Sequence, residues 1–125
     1  MNKYLEKNIC IYITSICISI ILIYGFIRCN YLNNDIIQTK IIYNLDFWGF
    51  SHILLFFIMT IIFPKQYMFL FLLGIIWEIG EGILYLYFSY LNIKCYKKWW
   101  YFQYIDILYN LIGIILALLI RKIIK

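Results

Sequence analysis

Residues 74–85 read GIIWEIGEGILY. Two carboxylates, Glu78 and Glu81, stand three residues apart in one of the most apolar parts of the chain. Asp106 and Asn110 follow downstream, four residues apart, and His52, the single histidine, lies upstream. Carboxylates and an imidazole can give and take protons at a reacting group. They can also hold a hard or borderline divalent ion through oxygen and nitrogen. Either chemistry requires that these residues converge, so the elements that carry them decide whether there is a site.

Composition sets the solvent. The chain has 125 residues, of which 66% are hydrophobic and 14% charged, against about 25% charged in soluble domains. That length allows one domain, residues 1–125. A soluble chain of this size could not bury so much apolar surface, so its main partner is the lipid bilayer. Isoleucine, tyrosine, lysine and asparagine are abundant, valine is absent, and Ala117 and Pro64 are the sole residues of their types. This bias fits an AT-rich genome and reports on codons. The net charge of +5 sits mainly at the edges of apolar runs, as it does around membrane spans, which argues against nucleic-acid binding.

Four segments approach the roughly 20 apolar residues that a membrane helix needs: residues 9–27, 47–63, 67–90 and 104–124. The expected fold is all-α, a four-helix transmembrane bundle with N- and C-termini on the same side. That side carries Lys3, Lys7, Lys65, Arg121, Lys122 and Lys125, one basic residue more than Arg28, Lys40, Lys94, Lys97 and Lys98 opposite. The bias favours cytoplasmic termini. The first span follows Lys3 and Lys7 like a signal peptide, but it is long and lacks a small-residue cleavage site, which reads as an uncleaved anchor. The connection 28–46 has room for a short interfacial helix. In the connection 94–104, Trp99, Trp100 and the tyrosines suit an aromatic belt at the headgroups. Its lysines offer a second reading, a patch for anionic lipid. The oligomeric state is open.

Helical periodicity gathers the polar residues. Positions spaced by 3, 4 and 7 share a face. Gly74, Glu78, Glu81, Gly82 and Tyr85 form one stripe on the third span, and Asp106, Asn110, Gly113 and Ala117 form another on the fourth. Gly74, Gly82, Gly113 and Ala117 are the expected packing positions, because small residues let helices approach closely in lipid. The two stripes are expected to face each other. At about 1.5 Å per residue, counting depth pairs Gly74 with Ala117, Glu78 with Gly113, Glu81 with Asn110 and Tyr85 with Asp106. His52 falls near the level of Glu81. Ser15, Ser19 and Thr14 on the first span can return their hydroxyls to the backbone at small cost.

A buried acid is expensive. Insertion scales assign about 2.5–3.5 kcal/mol to an aspartate at a helix centre. Two carboxylates close together in low dielectric resist ionising together, and His52 or a metal ion could compensate. The plain alternative is polar glue between helices. Such bonds contribute about 0.6 kcal/mol each, which is little against three acids, so His52, Glu78, Glu81, Asp106 and Asn110 form the candidate site. His52, Glu78, Glu81 and Asp106 are the candidate metal ligands.

These motifs carry a resemblance. Gly74-Ile-Ile-Trp-Glu78, then Glu81, then Asp106-Ile-Leu-Tyr-Asn110-Leu-Ile-Gly113 resembles the VanZ-like membrane proteins and the related YjdF-like group. Their pattern is a histidine opening one span, G-x-x-x-E in the next and D-x-x-x-N-x-x-G opening the last. The likeness covers about Asp46 to Ile120. Two departures stand out. The family usually has an acid three or four residues before the histidine, where this chain has Gly49 or Trp48, with Asp46 six residues back. Glutamate at position 81 is closer to the YjdF-like group, since VanZ-like proteins often have glutamine there. VanZ-like proteins are associated with tolerance of teicoplanin-type glycopeptides, so the resemblance supports the site more than it names a reaction.

Three functions fit the residues. One is binding or modifying a lipid headgroup or similar amphiphile such as a phospholipid, with a divalent metal as the conceivable cofactor. No nucleophile or arginine pair of a phosphatase is evident, which leaves enzyme status open. The second is a proton- or ion-coupled transport component, although no inverted repeat is visible. The third is a structural membrane protein whose polar residues serve helix packing. Cys10 and Cys17 read as packing residues. Cys29 and Cys95 fall on the same side and can pair if that side is oxidising. No CxxC spacing points to zinc.

Overall fold

The computed structural model describes residues 3–31, 39–43, 45–93 and 103–124. Four helices dominate: α1 (Lys3–Tyr31), α2 (Phe47–Ile62), α3 (Tyr67–Tyr90) and α4 (Tyr104–Ile124). A short antiparallel hairpin, β1 (Lys40–Ile42) with β2 (Leu45–Asp46), precedes α2. Tyr43 turns it with a positive φ of 48°. The residues expected to form an interfacial helix are divided among these elements. α1 extends through Tyr31, the hairpin strands take residues 40–42 and 45–46, and residues 32–38 and 44 lie outside the described ones.

The chain chemistry explains the helix ends. Asp46 caps α2, accepting a hydrogen bond from the Gly49 amide at 2.7 Å, which satisfies one of the orphan donors of the first turn. α2 stops at Ile62 because Pro64 cannot continue it. Pro64–Gln66 instead form a 3-10 turn. After α3, Asn92 adopts a left-handed φ of 53°. Its amide bonds to Ser89 O and that of Ile93 to Phe88 O, both at 3.1 Å, the paired closure of a Schellman end.

α1, α3 with its preceding turn, and α4 are long and apolar enough to cross a membrane: Tyr4–Tyr31, Pro64–Tyr90 and Tyr104–Ile124. α2 has 16 residues, about 24 Å at 1.5 Å per residue, somewhat short of a hydrocarbon core about 30 Å thick. The bundle is apolar outside and polar inside. Ile76, Ile79, Ile83 and Leu86 of α3 are all more than half exposed, while Gly74, Glu78 and Glu81 of the same helix are buried. That arrangement suits lipid as solvent, and the fold is a helical membrane bundle.

One end of the bundle gathers the start of α1, the 3-10 turn and the end of α4. The Lys65 amide donates to Glu6 Oε1 at 3.4 Å, and Arg121 Nη1 donates to Ile61 O at 2.7 Å. Cys10, Met59, Phe63 and Leu70 fill the neighbouring interior with apolar packing. Thr14, Ser15 and Ser19 return their hydroxyls to the carbonyls four residues back at 2.8–2.9 Å. Cys10 and Cys17 are free, whereas Cys29 is disulfide-bonded. Cys95, the partner expected from the sequence, lies outside the described residues, as do Trp99 and Trp100 of the aromatic connection.

The main helix contact is between α2 and α4; the stripes of α3 and α4 do meet, at Gly74 with Asn110 and at Glu78 with Asp106, but not at the depths expected. A Cβ on Gly113 would fall inside contact of the Ile53 carbonyl oxygen and 3.0 Å from the Phe57 amide nitrogen. Gly113 therefore lets α4 lie directly on the α2 backbone, not against Glu78 of α3. Gly74 does not sit opposite Ala117. Its side faces Asn110 Nδ2 and the Phe56 ring, which a Cβ would approach to 2.8 and 2.9 Å. A face shared by small residues shows that a helix has a close neighbour without saying which one.

Candidate functional site

The capped first turn of α2 fixes where His52 begins. Gly49 packs against the Tyr109 ring, where a Cβ would come within 2.8 Å of Cδ2. The absence of side chains at Gly49, Gly74 and Gly113 draws α2, α3 and α4 together. His52, Glu78, Asp106 and Asn110 then meet in their midst, with exposures from 7% for His52 down to 0% for Glu78.

His52 is the hub. Its Nδ1 lies 2.8 Å from Asn110 Oδ1. Because the amide oxygen accepts, Nδ1 carries the proton and donates. Nε2 faces Asp106 Oδ2 at 3.9 Å, and Nδ1 is 3.9 Å from Glu78 Oε1. The Trp48 ring lies edge-on to the imidazole, with centroids 5.4 Å apart. One atom each from His52, Glu78 and Asp106 can be chosen so that all three lie within 4.8 Å of one another. Among the described residues, Glu78 Oε1 and Oε2, Asp106 Oδ2 and Asn110 Nδ2 are buried without a hydrogen-bond partner. Buried charges ordinarily require both pairing and hydrogen bonds to offset desolvation.

Glu81 is not one of these three, but it lies within reach of the Asp106 charge, hydrogen-bonds to Trp77 and feels the charge of Arg28. Arg28 is itself only 5% exposed. Sequence reasoning placed Arg28 in a flanking connection, but it belongs to the last turn of α1. The missed signal was Thr14, Cys17, Ile21, Gly25 and Arg28, spaced by 3, 4, 4 and 3, which continues one face of α1 beyond its apolar run.

The other expected residues divide. Ala117 is fully buried, Tyr85 and Gly82 are half-buried, and Asp46 is engaged in capping α2. Asp46, six residues before His52, therefore has a backbone task.

A cavity of about 450 Å³ opens between α1, α2 and α3. Ile18, Ile21, Leu55, Leu73, Trp77 and Leu84 supply much of its apolar wall, and His52 and Glu81 also border it. Gly80 lines it too, and a Cβ there would meet nothing within 4 Å. Its size falls in the range of about 300–1,000 Å³ of small-molecule sites. The chain matches no family model, no curated protein and no solved structure.

Proposed function

We propose that the protein is a multi-pass membrane protein that binds an amphiphile. The apolar tail lies in the cavity between α1, α2 and α3, and the polar head meets His52, Glu81 and Arg28. The observation that carries this reading is the junction within one cavity of an apolar wall with His52 and Glu81. A tail gains by leaving competing lipid for a shaped slot, and buried polar groups then select the head. Arg28 favours a head with an acceptor oxygen, such as a phosphate or carboxylate.

Pure helix glue accounts less well for Glu78, neither of whose oxygens has a hydrogen-bond partner among the described residues. The motif order His52, Gly74-x-x-x-Glu78, Asp106-x-x-x-Asn110-x-x-Gly113 supports membership of the VanZ-like family as part of the same proposal. Termini in the cytoplasm would put Cys29 at the opposite, oxidising face, which agrees with its being disulfide-bonded.

Native mass spectrometry of the protein purified in a mild detergent tests the reading. Wild type should retain one lipid-sized adduct after delipidation and addition of total membrane lipid. Gly80→Leu, which adds a side chain at a cavity-lining position where a Cβ meets nothing within 4 Å, should lose it and remain folded. Equal adducts in both proteins would remove the cavity from the account.

A further inference from the structure

Nε2 of His52 and Oδ2 of Asp106 pose a specific chemical problem. The hydrogen bond from Nδ1 to Asn110 Oδ1, 2.8 Å long, places the neutral ring's proton on Nδ1 and leaves a lone pair on Nε2. That lone pair confronts a carboxylate oxygen at 3.9 Å, so two acceptors face each other. A proton shared between them would draw them to about 2.7–2.9 Å, the length of a charge-assisted hydrogen bond. The observed separation suits a larger cation. An ion with nitrogen and oxygen ligands at about 2.0–2.2 Å holds opposed ligand atoms up to about 4.2 Å apart.

Glu78 supplies the independent observation. It is 0% exposed, and neither carboxylate oxygen has a hydrogen-bond partner among the described residues. Its Oε1 lies 3.9 Å from His52 Nδ1, the nitrogen that also donates to Asn110. Atoms from His52, Glu78 and Asp106 all fall within 4.8 Å of one another. Atoms that far apart surround a centre about 2.8 Å from each, so inward shifts of up to about 0.8 Å per ligand atom would reach bonding distances of about 2.0–2.2 Å. The outer partner is already in place, because a metal-bound histidine donates its second ring N–H to a carbonyl or carboxylate. Asn110 accepts that proton here.

We infer that His52, Glu78 and Asp106 bind one divalent first-row transition ion, with Asn110 as the positioning residue that fixes the imidazole. One imidazole and two carboxylates match zinc or manganese better than calcium or magnesium, which prefer all-oxygen sites. Glu81 is outside the ligand set, since it does not belong to the close group of His52, Glu78 and Asp106 and hydrogen-bonds to Trp77. The ion would lie behind the polar end of the cavity and offer a positive charge to the head of the amphiphile. The inference rests on reading that end as a working site, but its test requires no lipid.

The experiment titrates Zn²⁺ and, separately, Mn²⁺ into chelator-treated protein in detergent. Bound metal is measured by elemental analysis after desalting. Wild type should take up one ion per chain. Glu78→Gln and Asp106→Asn should lose it. Asn110→Ala should bind about 10–100-fold more weakly, as loss of an outer partner does. Gly80→Leu should lose lipid yet keep the ion, which separates failure of the metal site from failure of the amphiphile reading. X-ray absorption on the zinc-loaded wild type guards against a variant that does not fold. One imidazole nitrogen with oxygen neighbours supports the assignment, and a sulfur neighbour overturns it. Substoichiometric wild-type binding of both ions, or unchanged binding in a folded Glu78→Gln, also overturns it.

Discussion

Replacing Gly113 with alanine adds one methyl group where α4 lies on the backbone of α2. The new Cβ would fall inside contact of the Ile53 carbonyl oxygen and 3.0 Å from the Phe57 amide nitrogen. Backbone atoms cannot rotate away as a side-chain tip can. Restoring a carbon–oxygen separation of about 3.3–3.6 Å requires the helices to part by about 1 Å. Overpacking of this kind costs about 1–3 kcal/mol. Asn110 is one turn from Gly113, so the same movement would stretch its 2.8 Å bond to His52 to about 3.8 Å, beyond hydrogen-bonding range. Losing a bond of that type in a membrane protein costs about 0.6 kcal/mol. Better helix propensity of alanine returns about 0.8–1 kcal/mol, which leaves a net loss of about 0.6–2.8 kcal/mol.

Gly80→Ala is the internal control. A Cβ at Gly80 meets nothing within 4 Å, so this variant should equal wild type or gain up to about 1 kcal/mol. Denaturant unfolding in one detergent, followed by tryptophan fluorescence, should separate the two variants by roughly 0.6–4 kcal/mol when these costs are combined. Equal stability of Gly113→Ala and Gly80→Ala would refute the claim that α2 and α4 touch backbone to backbone at Gly113.

Other predictions follow from single contacts. Arg121→Met should cost about 1–2 kcal/mol in the same unfolding assay, because the guanidinium bond to Ile61 O satisfies a carbonyl at the end of α2. Asp46→Ala should cost about 1 kcal/mol through loss of the α2 cap, while Asp46→Asn keeps most of that stability. Ligand binding should be unchanged in Asp46→Asn, which distinguishes capping from chemistry. Cys29→Ser should abolish any mobility difference between reduced and non-reduced samples on a denaturing gel, since Cys10 and Cys17 are free.

Much of this architecture is legible in the sequence, for identifiable reasons. Pro64 and the long apolar runs place α2, α3 and α4 within a residue of their observed bounds, because lipid leaves the chain few ways to satisfy its backbone. Periodicity also puts Glu78, Asp106 and Asn110 on buried faces. Three things escape it. α1 runs from Lys3 to Tyr31, beyond the expected residues 9–27, since a helix need not stop where its apolar run stops. Arg28 therefore looks like a flanking charge until the helix carries it inward beside Glu81. Neighbour choice escapes too. Gly113 lies against α2, and Gly74 meets Asn110 of the facing stripe where depth pairs it with Ala117, because spacing reports a face, whereas neighbour and register depend on side chains from several helices at once.

Photocrosslinking with a phospholipid that carries a diazirine in its acyl chain tests the central claim most directly. The protein is reconstituted, illuminated and digested, and the labelled residues are located by mass spectrometry. An amphiphile seated in the cavity should label the inward residues Ile21, Leu73, Trp77 and Leu84, which line it, and Gly80→Leu should remove that labelling. Labelling confined to the outward Ile79 and Ile83, which are 53% and 61% exposed, and unchanged in Gly80→Leu, would show lipid as solvent alone and contradict the account.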